Sequence, residues 1–85
     1  EMIITNKLGL HARAAAKFVQ KASTYASEIH LIHKDKKVSG KSIMGIMMLA
    51  ASKGTNIEII ASGEDEKLAA QDLEKFIVNK FGEAE

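Results

Sequence analysis

The chain contains no cysteine and no proline. The first absence excludes disulfides, thiolate metal sites and cysteine nucleophiles together. The second leaves glycine alone to punctuate the sequence, at positions 9, 40, 45, 54, 63 and 82. Aromatic residues are few: Tyr25 and three phenylalanines, with no tryptophan. An RNA-binding α+β module would need more stacking platforms than these supply. Neither charge sign predominates, since 12 basic residues stand against 11 acidic ones, a net charge of +1. Proteins that hold nucleic acid by neutralising phosphates carry a basic excess, so no nucleic-acid partner is expected. Long hydrophobic runs are also missing. The longest, residues 43–51, is interrupted by Gly45 and is too short for a bilayer, so no membrane insertion is expected. Residues 1–4 lack the basic segment and apolar stretch of a secretory signal, which makes a cytoplasmic address the expectation.

What remains is enough for one domain over residues 1–85, and 46% apolar content sets disorder aside. Neither repeat nor linker divides it. Residues 2–5 read as a strand, and 6–9 as a turn leading to His11. Ala12, Ala15, Phe18, Val19, Ala22 and Ala26 recur at spacings of three and four, the pattern of an amphipathic helix. Its opposite face carries Arg13, Lys17, Gln20 and Lys21. Residues 28–33 form a strand, 34–36 a polar turn, and 37–39 the start of a hairpin partner. Ser42 stands where an N-cap belongs, before a run of helix formers that ends at Gly54. Residues 56–61 give the clearest strand, and the acidic residues 64–66 open a last helix, where the dipole favours them. Leu68, Ala69, Leu73, Phe76, Ile77 and Phe81 make its buried stripe, and Gly82 closes it. The order β-α-β-β-α-β-α predicts an α+β open-faced sandwich: a four-stranded antiparallel sheet covered on one face by three helices.

The segment from Leu8 to Ala16 carries the most chemistry. A histidine at the mouth of a helix lies beside unpaired backbone N–H groups and the positive end of the dipole, and both favour a bound phosphate. The N–H groups of Ala12 and Arg13 stand first in that row. Imidazole is a competent phosphoryl acceptor near neutral pH. Arg13, in the first turn, is placed to set a guanidinium against the same oxygens. A histidine at a helix start is usually a capping or surface residue, so these residues alone do not decide for the phosphoryl reading.

Gly9-Leu10-His11-Ala12-Arg13 resembles the Gly-Leu-His-x-Arg active-centre motif of HPr, the histidine-containing phosphocarrier family of the phosphoenolpyruvate phosphotransferase system. The block from Ser39 to Ala51 is similar to the segment carrying that family's regulatory serine. Lys53-Gly54-Thr55, a strand, and then Gly63-Glu64-Asp65-Glu66 resemble a third block, so the likeness spans essentially the whole chain. It implies that His11 is phosphorylated by enzyme I at the expense of phosphoenolpyruvate, on ring nitrogen Nδ1. The group would pass to a histidine of an enzyme II A-type domain. It also implies that the protein has no cofactor or metal of its own. One departure is visible: the family motif continues with proline after the arginine, and here Ala14 follows. Alanine gives up the preset backbone angle but is the best helix former, so the helix still begins there.

Ser42 has a structural role as cap, and the resemblance matches it to the serine phosphorylated by HPr kinase/phosphorylase. Phosphate there would set up to two negative charges beside any apolar docking surface and weaken binding. Ile43, Met44, Met47 and Met48 cannot all be buried in one short helix. The resemblance implies that Ile43, Met44 and Met47 dock enzyme I and enzyme II, where methionine suits a surface that fits several partners. Arg13, Lys17, Gln20 and Lys21 would border that patch and steer acidic partners, although such an edge is more often only a solvated face.

Other motifs fail. Gly40-Lys41-Ser42 resembles the end of a P-loop, but the glycine required five residues earlier is Asp35. His30 and His33, three apart on a strand, point to opposite faces and would not share a metal; one partly buried and one exposed histidine are expected. A monomeric phosphoryl carrier follows, with a regulatory docking module acting through Ser42 as the alternative.

Overall fold

A computed structural model describes residues 2–3, 11–49 and 55–79, with side chains described for 11–49 and 55–79. The elements run β1 (Met2–Ile3), α1 (Ala12–Ala22), β2 (Glu28–His33), β3 (Lys36–Ser39), α2 (Ile43–Met48), β4 (Asn56–Ser62) and α3 (Glu66–Val78). Strands β2, β3 and β4 make an open antiparallel sheet with β2 in the middle. Met2 and Ile3 register antiparallel against Ile57 and Asn56 on the other side of β4.

Strand alternation sorts residues to two faces. Ile29, Leu31 and Ile57 are buried on one of them, with Val38, Ile59 and Ala61 packed against the same cluster. Leu31 lies opposite both Val38 and Ile59, and Ile29 opposite Ala61, so these side chains form one continuous floor. Helix α1 buries Ala14, Ala15, Phe18 and Ala22, α2 buries Ile46, and α3 buries Ala69, Leu73 and Ile77, all in that cluster. The helices therefore cover one face. The other carries His30 opposite a partly exposed Ile60. Gly40 is required by packing, because a Cβ there would sit 2.6 Å from Ile29 Cγ2 and 3.2 Å from Phe18.

Several expectations need adjustment. Helix α1 stops at Ala22, so Ala26 lies outside it and is exposed, as is Ala12. The buried stripe instead uses Ala14, because a helix that starts at Ala12 turns positions 14, 15, 18 and 22 inward. Leu68 is 55% exposed rather than buried, since Ala69, Leu73 and Ile77 already fill the α3 stripe. The polar turn is only Lys34 and Asp35, and Lys36 pairs with His33. His30 and His33 are both half-buried. Helix α2 stops at Met48 with Leu49 as its C-cap, short of the run expected to end at Gly54. Residues 4–10, 50–54, Phe81 and Gly82 lie outside the described residues.

Candidate functional site

His11 is the N-cap of α1, with extended backbone (φ −76°, ψ 176°), and its carbonyl accepts the first intrahelical bond, from Ala15 N–H at 2.8 Å. The N–H groups of Ala12, Arg13 and Ala14 precede that bond, so the helix itself gives them no acceptor. The His11 side chain makes no capping hydrogen bond, and the first turn of α1 holds no acidic residue to compete for those donors. Complete burial of Ala14 and Ala15 seats this end of the helix on the core. The imidazole is half-buried and oriented with Nε2 shielded from solvent.

Arg13 and Gln20 are exposed, while Lys17 and Lys21 are half-buried. Spacings of four and three put Arg13, Lys17 and Gln20 on one outward side of α1. Lys21 turns aside, its Nζ 5.9 Å from the centre of the Tyr25 ring.

Ser42 caps α2: its Oγ accepts from Gly45 N–H at 3.0 Å, and its carbonyl accepts from Ile46 N–H. Gly45 leaves room for this side chain, since a Cβ would lie 3.2 Å from Ser42 Oγ. Six residues make a helix too short to stand alone, and Ile46 and the C-cap Leu49, both buried, hold it down. The remaining side is open. Ile43 is 41% exposed, Met44 76%, Met47 44% and Met48 67%. Helices α1 and α2 pack against each other, which brings the elements carrying His11 and Ser42 together.

Sequence reasoning passed over Met48 as a surface residue, although four large apolar residues in one turn and a half already signalled it. It also missed the ties at the far end of α1. Asp65 accepts from Ala26 N–H and Ser27 N–H, each at 2.9 Å, and from the Ser27 hydroxyl. Tyr25 donates its hydroxyl to Asp72 at 2.6 Å, and Lys41 Nζ reaches Tyr25 O at 2.8 Å. Sequence separations of up to 47 residues leave no local signal for such contacts. The bonds from Ser27 and from the Ala26 amide hold the Asp65 carboxyl below its ordinary range. Burial, and then the bond to Asp72, push the Tyr25 hydroxyl up to about 12.

His30 and His33 face opposite sides of the sheet, and His33 Nδ1 lies 3.1 Å from Asn56 O. Among the described residues no cluster of three or more histidines and carboxylates is placed to hold a metal ion. Nor is any described helix long and apolar enough to cross a membrane.

Residues 1–79 match the family model described as the PTS HPr component phosphorylation site. The chain is 53% identical over 83 residues to phosphocarrier protein HPr of Xylella fastidiosa, covering 98% of this chain and 93% of that one. It is 55% identical over 82 residues to phosphocarrier protein HPr of Neisseria meningitidis, covering 96% and 92%. A crystal structure of HPr from Thermoanaerobacter tengcongensis superposes with a TM-score of 0.93 at 49% identity, covering 99% of this chain and 94% of that one.

Proposed function

This chain belongs to the HPr family of phosphotransferase-system phosphocarriers, and from that premise we propose that His11 is its phosphoryl acceptor and donor. The carrying observation is the placement of His11: a half-buried imidazole at the N-cap of α1, its Nε2 shielded, beside N–H groups that have no acceptor within the helix. The shielding of Nε2 agrees with the family's use of the other ring nitrogen, Nδ1. Its lone pair attacks the phosphorus carried by phospho-enzyme I, a nitrogen–phosphorus bond forms, and the bond to enzyme I breaks. The same steps in reverse sense pass the group to a histidine of an enzyme II A-type domain. The N–H groups of Ala12 and Arg13, with the Arg13 guanidinium, face the phosphoryl oxygens and stabilise their charge.

Docking uses Ile43, Met44 and Met47 as an apolar patch and Lys17, Gln20 and Lys21 as its basic edge. The exposure of α2 and the outward set of Arg13, Lys17 and Gln20 on α1 support this reading, whereas Lys21 lies over the Tyr25 ring. The protein works as a monomeric cytoplasmic carrier, one domain over residues 1–85 on a four-stranded sheet ordered β1-β4-β2-β3, with no cofactor of its own. Ser42 is the regulatory position, phosphorylated by HPr kinase/phosphorylase. Its half-buried hydroxyl stands at the rim of the exposed apolar face, where a dianion would repel a partner. That same position favours the second reading, a docking module whose signal is carried by Ser42.

The test incubates the chain with phosphoenolpyruvate, magnesium and enzyme I, and records intact mass before and after brief acid treatment. One acid-labile phosphoryl group is expected, absent in His11→Ala. No gain of mass by a folded chain with cognate enzyme I sinks the carrier reading and moves the weight to Ser42.

A further inference from the structure

The α2 surface carries a modification chemistry that neither phosphorylation uses. Met44 is 76% exposed, Met48 67% and Met47 44%, all within one short helix whose buried anchors are Ile46 and Leu49. The chain has no cysteine, so a mild oxidant meets thioethers as its sulfur targets. We propose that Met44 and Met48 form a peroxide-sensitive site whose oxidation to methionine sulfoxide closes the α2 surface to enzyme I. The inference rests on the reading of that surface as a docking patch.

The reaction is balanced with hydrogen peroxide alone. A sulfur lone pair attacks one peroxide oxygen, the O–O bond breaks, a sulfur–oxygen bond forms, and the peroxide is reduced by two electrons to water. Oxidation turns a flexible apolar side chain into a polar one with a strong acceptor oxygen. In free solution water satisfies that oxygen. Against an apolar partner surface it would be buried without a donor, so docking weakens while the fold, anchored from the other side of α2, is unaffected. Exposure sets the order of attack: Met44 first, Met48 next, Met47 last. Reduction of the sulfoxide restores the patch, so the site is reversible.

The experiment treats folded protein with limiting hydrogen peroxide and digests it with trypsin. Residues 42–53, between Lys41 and Lys53, form one peptide holding all three α2 methionines, while Met2 falls in the peptide of residues 1–7. Sulfoxide is expected first at Met44 and Met48. KM for transfer from phospho-enzyme I should rise about tenfold with kcat unchanged, the consequence of an unsatisfied polar group at the interface. The unfolding midpoint should stay constant, and methionine sulfoxide reductases should restore KM. In the variant Met44→Leu/Met48→Leu, which has no thioether at either position, the same treatment should leave the variant's own starting KM, whatever its value, unmoved. An unchanged KM in protein shown to carry both sulfoxides overturns the proposal. Equal loss in the double variant, or a fall in the unfolding midpoint that tracks the loss, does so too. Untreated protein that accepts no phosphoryl group overturns the carrier reading and this inference with it, an outcome distinct from the others.

Discussion

The two ends of α1 are built on opposite terms. At its start, the His11 side chain makes no capping bond to the helix, and the neighbouring α2 leaves Ile43, Met44, Met47 and Met48 open to water. At its end, residues 23–27 are held from three directions: Asp65 on the Ala26 and Ser27 amides, Asp72 on the Tyr25 hydroxyl, and Lys41 on the Tyr25 carbonyl. Eleven residues of helix, about 16 Å, separate the two. Large apolar side chains left in water add nothing to stability, so stability has to be supplied elsewhere. Here it is supplied across the closed end, where α3 and the segment before Ser42 are tied to the α1–β2 connection.

The sharpest way to break the comparison is at Gly63. Its φ of +150° lies in a region that side chains avoid, and a Cβ there would stand 2.8 Å from the Ser27 Cα. Gly63→Ala should cost about 1–3 kcal/mol from the backbone alone, with the clash against Ser27 added. Urea unfolding measures the loss. Phosphoryl transfer at saturating enzyme I should persist wherever the variant remains folded, because the damage is confined to the closed end. Loss of transfer without loss of stability would mean that the two ends are coupled.

The closed end should also give the protein its pH profile. Asp65 has a depressed pKa, chiefly through its bond from Ser27, so its contribution is complete above the unfolded carboxylate value of about 4. It is lost as the pH falls below that value toward the folded one. Tyr25 has the opposite sign. Its pKa is raised from 10.0 to about 12 by burial and by Asp72, so its stabilisation is complete below pH 10 and disappears between 10 and about 12. Unfolding midpoints across pH should flatten on the acid side in Asp65→Asn and on the alkaline side in Tyr25→Phe. A His11→Ala chain should keep both arms.

Legibility in the sequence divided along the same line. The open end was readable because its signals are local: a histidine before a helix, a serine at a cap, and four large apolar residues too crowded for one buried stripe. Element order was readable from periodicity, and the overall layout followed from it. The closed end was not readable, since Asp65 and Asp72 reach partners 38 and 47 residues away. Residues 64–66 were assigned to the helix dipole, whereas Asp65 is held by the α1–β2 connection. Helix termination at Ala22 was missed for a related reason. The alanine pattern continues to Ala26, but the amide of Ala26 is claimed by Asp65 and not by a helical carbonyl.

Ser42 sharpens the comparison from the open side. Ser42→Ala removes the acceptor for Gly45 N–H and should cost about 1 kcal/mol, a modest loss because α2 is held mainly by Ile46 and Leu49. Transfer from phospho-enzyme I to His11 should be unchanged within twofold. A large drop in transfer would place Ser42 in the docking contact itself and not only at its rim.

The smallest expected effect lies at neither end. Lys34 opens the two-residue β2–β3 loop with φ of +58°, a left-handed conformation that costs a lysine and not a glycine. Strain at such positions often marks function. Here the loop contains only Lys34 and Asp35, both exposed, at a hairpin tip outside the helical surface that carries His11 and Ser42. Lys34→Gly relieves the steric cost but adds freedom to the unfolded chain, so a net gain of about 0.5 kcal/mol is expected. Thermal unfolding resolves it, and transfer kinetics should not move. If stability rises while transfer falls, the left-handed lysine is part of a partner contact, and the open surface extends around the sheet edge beyond α1 and α2.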